Sequence, residues 1–303
     1  MTSNARTFLD PKILDQIAGL ELKARSIVEG YVSGLHRSPF HGFSVEFAEH
    51  REYVPGDDIR FLDWKVYGKT DRLYIKRYEE ETNLEAWLVV DTSASMGYAS
   101  RDGKGPSKFD YASWGAAALA YMITQQQDAA GLVLFDEEVR RTLPAQSNAA
   151  HLRTIFSLLE EARPAHATGA GRALSQVAEA VRRRGIICLF SDLLDDNREI
   201  VRGLKNLRAR GHEVVLFHVL AHDEVTFPFE RITRFEGMED ASRLLADPLA
   251  LKTAYLQEVE GFRKNLRRVC LGNRIDLVEL STADSLGVVL AAYLARRAAR
   301  RRD

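Results

Sequence analysis

From residue 85 onward, short apolar runs alternate with longer amphipathic stretches. The runs occupy 86–90, 131–135, 186–190, 214–220 and 275–280. Their near-continuous apolar character predicts strands buried on both faces. Between them, helical periodicity covers 108–126, 149–162, 172–184, 196–210, 249–269 and 284–301. Several of these begin at capping residues, such as Asn148 before Ala149 and Asp195 before Asp196. This alternation predicts an α/β fold, a doubly wound and mostly parallel sheet with helices on both faces. Residues 138–143 predict an antiparallel edge strand following the run at 131–135.

Before residue 84 the pattern differs. Ile13, Ile17, Leu20, Leu22 and Ala24 permit an opening helix. Three segments then alternate with period two: Gly42-Phe43-Ser44-Val45-Glu46-Phe47, Arg51-Glu52-Tyr53-Val54 and Arg72-Leu73-Tyr74-Ile75-Lys76-Arg77-Tyr78. Pro55-Gly56-Asp57-Asp58 and Tyr67-Gly68-Lys69 interrupt them with turn chemistry. Residues 1–83 therefore predict a small β-rich element and 84–303 the α/β domain. Residues 222–247, including Phe227-Pro228-Phe229, form an insertion between its last two core strands. Asp57, Asp58 or Asp63 are expected to pair with Arg51, Arg60 or Arg72. Trp64, Trp87 and Trp114 are expected to pack.

A length of 303 residues exceeds the usual domain of about 100–200 residues and fits two unequal parts. With 46% hydrophobic and 28% charged residues, the composition is that of a soluble globular chain with a sizeable core. The net charge of -1, from 42 basic and 43 acidic residues, provides no field that would recruit nucleic acid or an anionic membrane. The one strong bias, Arg296, Arg297, Arg300, Arg301 and Arg302, reads as cations complementing a helix C-terminus. Cys188 and Cys270 give neither a disulfide framework nor metal-type spacing, and Cys188 lies within an apolar run as a buried thiol. A reducing compartment fits. Residues 1–11 carry no signal-type apolar stretch, and no run of about 18 apolar residues occurs, so a cytoplasmic chain without a membrane span is expected.

The run Trp87-Leu88-Val89-Val90 ends in Asp91-Thr92-Ser93-Ala94-Ser95-Met96-Gly97. In open α/β sheets, ligands bind beyond the C-terminal ends of the strands. If the loop stays extended, alternation turns Asp91, Ser93 and Ser95 to one side. Thr168, in Ala167-Thr168-Gly169-Ala170-Gly171, precedes a helix, and Asp192 follows the buried run ending Phe190-Ser191. With parallel neighbouring strands, both join Asp91 at the same edge. These five residues offer only hard oxygens, which suit Mg²⁺ or Mn²⁺ rather than zinc. Only Asp91 and Asp192 among them are charged, so a bound cation would stay electron-poor and accept an outside Asp or Glu carboxylate. Asp195 and Asp196 read instead as a helix start.

This pattern resembles the metal-ion-dependent adhesion site of von Willebrand factor A domains, Asp-x-Ser-x-Ser with a distant Thr and Asp. More closely, the chain resembles the bacterial family called domain of unknown function fifty-eight. The resemblance rests on Arg51-Glu52-Tyr53-Val54-Pro55-Gly56-Asp57-Asp58-Ile59-Arg60, Asp63-Trp64-Lys65, Asp91 to Met96, Thr168 to Leu174, and Ser191-Asp192. It implies a cation-dependent protein-binding module. It also implies partnership with a MoxR-type AAA+ ATPase, in chaperone-like assembly of protein complexes or insertion of metal centres. The family's threonine loop often carries two glycines before the Thr, where this chain has His166-Ala167; Gly169 and Gly171 are expected to supply flexibility from the other side.

An enzyme is the alternative. Asp91 at a strand end is placed like the aspartyl nucleophile of phosphotransfer enzymes, but such sites carry a second Asp where this chain has Ser93. A serine hydrolase would need a histidine base for Ser93 or Ser95; His166 and His218 qualify by position only, and no Gly-x-Ser-x-Gly elbow is present. A scaffold with an inactive metal site is a third reading. Association rather than catalysis is the expectation.

Overall fold

The computed structural model describes residues 20–25, 27–28, 46–54, 62–79, 84–100, 105–239 and 242–300. Pro55-Gly56-Asp57-Asp58, Arg60, Ile13, Ile17, Arg301 and Arg302 lie outside these residues. The chain divides into two compact units, Phe40–Leu84 and the remainder, so the buried Leu20 and Ala24 belong to the larger unit.

In the smaller unit, β1 (Glu46–Glu52) runs antiparallel to β2 (Tyr74–Glu79), with Glu52 opposite Tyr74. Between them lies α1 (Trp64–Thr70). Asp63 caps this helix, its Oδ1 accepting from the Lys65 N–H at 3.0 Å and the Val66 N–H at 3.2 Å. Arg72 reaches Glu52 at 3.9 Å, a solvated pair that contributes little. Trp64 does not pack as expected. At the first position of the helix it is 64% exposed, and its ring meets Tyr67 edge-on.

The larger unit is built on six strands in the order β10-β7-β6-β3-β4-β5. They are β3 (Glu85–Asp91), β4 (Ala129–Phe135), β5 (Val139–Gln146), β6 (Ile186–Ser191), β7 (Glu213–Leu220) and β10 (Asp276–Ser281). All neighbours are parallel except β4 and β5. The antiparallel edge strand is thus where the sequence put it, running a few residues longer. The central strands are apolar because both faces are covered: Leu88, Val89 and Val90 are fully buried although successive side chains point to opposite faces.

On one face pack α4 (Ala170–Ala180), α5 (Asn197–Ala209) and α7 (Pro248–Gly272). Val89, Ile187, Leu189 and Leu216 meet Leu174, Val177, Leu204 and Leu266 there. On the other lie α2 (Lys108–Gln125), α3 (Ala149–Glu161) and α8 (Leu286–Arg300). Phe190 and Phe217 stack with centroids 4.5 Å apart, and Tyr293 of α8 meets Phe217 edge-on. The helix expected at 172–184 ends at Ala180, before three consecutive arginines. Arg297, expected as a cation complementing a helix C-terminus, lies in the last turn of α8 and also has a packing role. It is 4% exposed and holds Glu213 at 2.5 Å and Asp276 at 3.5 Å, tying α8 to the sheet.

Cys188 and Cys270 are buried free thiols. The insertion contains α6 (His222–Thr226) and an antiparallel hairpin of β8 (Thr233–Glu236) and β9 (Arg243–Ala246). Among the described residues, no helix is long and apolar enough to cross a membrane.

Candidate metal centre

The chain leaves β3 for β4 on one side and later returns through β6 on the other. The C-terminal ends of β3 and β6 therefore flank the point where strand order reverses, the crevice in which such sheets bind ligands. Asp91 ends β3, and Asp192 follows directly on β6. Thr92 points away: its N–H and hydroxyl both donate to the Phe135 carbonyl of β4, at 2.6 Å and 2.9 Å. That anchor leaves Asp91 and Ser93 turned into the crevice, both fully buried. Beyond Ser93 the chain does not stay extended. It coils into a 3-10 turn over Ala94–Gly97, which brings Ser95 Oγ to 3.1 Å from Ser93 Oγ.

Two backbone hydrogen bonds clip the threonine loop onto this segment. Ala165 N–H donates to Thr92 O and Ala94 N–H to His166 O, each at 2.9 Å. His166 takes φ 63°, a left-handed conformation that glycine adopts without steric cost. Thr168 Oγ1 consequently lies 3.5 Å from Ser95 Oγ on the open side of the site. Gly169 and Gly171 provide space rather than flexibility. A Cβ on Gly169 would lie 2.7 Å from Glu137 Cα, and one on Gly171 2.5 Å from the carbonyl carbon of Glu199 at the start of α5. Asp195 and Asp196 serve helix starts: Asp196 accepts from Arg198 N–H at 2.6 Å, and Asp195 from Gly171 N–H at 3.2 Å.

Both oxygens of Asp91 are engaged, Oδ1 by the Ser93 N–H at 2.9 Å and Oδ2 by the Ser191 hydroxyl at 2.5 Å. Burial, and then the Asp192 carboxylate nearby, push Asp91 up to about 7 against those hydrogen bonds. Asp192 Oδ2 accepts from Lys108 Nζ at 2.7 Å, and the same ammonium donates to Glu224 Oε1 at 2.6 Å. Burial disfavours the Lys108 charge, but Asp192 and Glu224 outweigh it and hold the ammonium above its ordinary range. His218 Nε2 lies 3.1 Å from the Asp192 carbonyl, and burial drives its ring down to about 4, so it stands neutral at pH 7.

The donor set fits a small dication. Adjacent ligands of an octahedron with bonds of about 2.1 Å stand about 3.0 Å apart. The Ser93, Ser95 and Thr168 hydroxyls, 3.1 Å and 3.5 Å apart in sequence, approximate such an edge-to-edge row. Among the described residues, Asp192 and Glu224 set two carboxylates against the one ammonium of Lys108, a surplus of one negative charge that grows as Asp91 ionises, as it would on meeting a cation. Among the described residues no group of three or more His, Cys, Asp or Glu is placed to hold a metal, so a cation here would rely on hydroxyls as well as on carboxylates.

All five residues singled out in the sequence thus lie at one sheet edge. Lys108, Ser191, Glu224 and Glu239 were missed. Lys108 carried a signal, because a lysine in the first turn of a helix opposes the helix dipole and needs a local anion. Ser191 stands beside Asp192 at the strand end and could have been read the same way. Glu224 and Glu239 lie in the insertion, where nothing local distinguishes them. Glu239 Oε2 accepts from the Thr168 N–H at 3.0 Å, and its Oε1 from the Thr168 hydroxyl.

Curated relatives include the uncharacterized proteins Rv1480 of Mycobacterium tuberculosis and Mb1516 of Mycobacterium bovis. Each is 28% identical over 294 residues, covering 95% of this chain and 91% of the relative. Similar solved structures include an aerotolerance-related membrane protein from Bacteroides fragilis carrying multiple mutations to serine, 16% identical over 72% of this chain and 99% of that one, with a TM-score of 0.45. Another is the conserved hypothetical protein BatB from Bacteroides thetaiotaomicron, 17% identical over 71% and 99% of the two chains, TM-score 0.43. A third is the SpRpn10 VWA domain, 11% identical over 68% and 93%, TM-score 0.40. The sheet of this chain is parallel but for one edge strand and is covered by helices on both faces. The model of the family described as Protein of unknown function DUF58 matches residues 49–263, well over half of the sequence, and the chain belongs to that family.

Proposed function

We propose that this protein is a non-enzymatic binding module that uses one Mg²⁺ or Mn²⁺, held by Asp91, Ser93, Ser95, Thr168 and Asp192, to grip a carboxylate of a protein partner. The observation that carries this reading is the row of three hydroxyls beside two buried carboxylates at the reversal point of the sheet. When bound, the cation supplies a positive centre whose remaining position accepts an oxygen anion. Ser191 and the Ser93 amide orient Asp91. Lys108 neutralises part of Asp192 and fixes its carboxylate. Thr168, partly exposed, marks the side on which a partner would approach.

The balance between binding and catalysis favours binding. Both Asp91 oxygens already accept hydrogen bonds, which suits a ligand-orienting carboxylate better than a nucleophile. The ring nitrogen of His218 faces the Asp192 carbonyl rather than either serine hydroxyl. Family resemblance adds a MoxR-type AAA+ ATPase as the partner to test first, in chaperone-like assembly or maturation of protein complexes. The experiment is capture of that ATPase from the native cell by the tagged full chain, with and without chelator. Capture that is lost on chelation and with Asp91→Ala supports the reading; capture indifferent to both sinks it. Turnover of a phosphoester that requires metal and disappears with Asp91→Asn would establish the enzyme alternative instead.

A further inference from the structure

Glu239 lies between β8 and β9, 71 residues from Thr168 in sequence, yet both of its carboxylate oxygens are seated on Thr168. We propose that Glu239 is a carboxylate ligand that this chain supplies to its own cation site, so that the β8–β9 hairpin caps the site and a partner's carboxylate must compete with it. This rests on the cation reading above.

Three observations carry the assignment. The first is placement: Thr168 is the ligand on the open side, and the Glu239 carboxylate receives both its amide and its hydroxyl. The second is charge. Asp192 and Glu224 already exceed Lys108 by one charge before Asp91 is counted, and Glu239 adds a further carboxylate to the same edge. Among the described residues no basic side chain pairs with it, and a metal ion held beside Thr168 would supply it a compensating charge.

The third is the way the hairpin is mounted. Gly237 N–H donates to Ser242 O at 2.9 Å and closes the turn. The Met238 methyl lies over Gly97 at the end of the serine turn, 3.6 Å from where a Cβ would stand there. Phe235 packs on Phe227 and Phe229, and Phe227 on Tyr255 of α7. That aromatic bracket aims the hairpin at the site. The strands themselves are four residues long, with Leu244 57% and Leu245 70% exposed. An element so lightly buried opens at small cost, which lets a partner displace the in-chain ligand without disturbing the sheet.

The test uses the full chain, Mn²⁺ as the cation and acetate as the competing carboxylate, with wild type, Glu239→Gln and Glu236→Gln compared. Electron paramagnetic resonance counts bound Mn²⁺, and water-proton relaxation reports how many exchangeable waters the bound ion holds. Glu239→Gln should weaken Mn²⁺ binding about tenfold or more, at least the loss that follows removal of a group supporting a metal ligand. The bound ion should gain a water. Acetate should bind the Mn²⁺-loaded variant about tenfold more tightly than wild type, if Glu239 fills the position nine-tenths of the time. Glu236→Gln, on the same hairpin but paired with Arg234 and Arg243, should leave all three readings unchanged. Equal affinity, hydration and acetate binding in wild type and Glu239→Gln would overturn the inference while leaving the cation site standing. Equal changes in both hairpin variants would overturn it too, by tracing the effect to hairpin folding. A wild type that takes up no Mn²⁺ would remove the cation reading itself.

Discussion

Replacing Lys108 by Met isolates the electrostatics of the site, because Met fills a similar channel without a charge. Lys108 Nζ lies 2.7 Å from Asp192 Oδ2 and 2.6 Å from Glu224 Oε1. The lysine side chain is 1% exposed and that of Asp192 0%, whereas Glu224 is 20% exposed and can recover some hydration. The cost therefore falls chiefly on Asp192, left buried beside Asp91. Breaking a buried pair on one side typically costs about 3–5 kcal/mol. For a unit of this size, with about 2–4 °C lost per kcal/mol, the melting temperature in chelator should fall by roughly 6–20 °C. Mn²⁺ should then stabilise Lys108→Met more than it stabilises wild type, since the site has lost a competing positive charge. The assay is urea and thermal unfolding of both proteins in chelator and in Mn²⁺. A variant within about 1 kcal/mol of wild type in chelator, as for a solvated pair, would refute the burial argument. A deficit unchanged by saturating Mn²⁺ would refute the claim that ammonium and cation share one field.

Gly171→Ala places a methyl 2.5 Å from the Glu199 carbonyl carbon, so α4 and α5 must part; unfolding should show a loss of about 1–3 kcal/mol, with Mn²⁺ binding weakened as the Thr168 loop shifts. Arg297→Met should cost about 1–3 kcal/mol by urea unfolding, less than a fully buried pair because Glu213 and Asp276 are partly exposed, and should leave Mn²⁺ binding unchanged. Glu279 is held below its ordinary value: burial opposes the charge, but Arg263 and Arg267 outweigh it. A depressed carboxylate contributes stability above its unfolded value of 4.5 and loses it as pH falls through the folded one. Glu279→Gln should therefore cost stability at pH 7, and its deficit relative to wild type should shrink as the pH is taken below 4.5.

The sheet was legible because its central strands are buried on both faces, and runs such as Ile186-Ile187-Cys188-Leu189-Phe190 have no other use. Asp91, Ser93 and Ser95 were legible from their spacing, although the reason differs from simple alternation: Thr92 anchors to β4 and the 3-10 turn returns Ser95 to the crevice. Thr168 was reached despite a departure in its loop, because His166 takes the left-handed backbone itself. What escaped the sequence is pairwise and distant. Lys108 meets Asp192 and Glu224 across 84 and 116 residues, and Glu239 meets Thr168 across 71. No local periodicity encodes such partners. Trp64 shows the same limit in reverse, since residue type alone placed it inside, and the Glu213 partner of Arg297 is as distant in sequence as the Asp192 partner of Lys108.

The most direct test of the cation site is a Mn²⁺ titration of the full chain, extended to millimolar metal because such sites retain water and bind weakly without a partner. Wild type should show one site, Ser93→Ala and Ser95→Ala a weakened one, and Asp91→Ala none, with circular dichroism unchanged throughout. Wild type without a site, or Asp91→Ala binding as wild type does, would contradict the assignment.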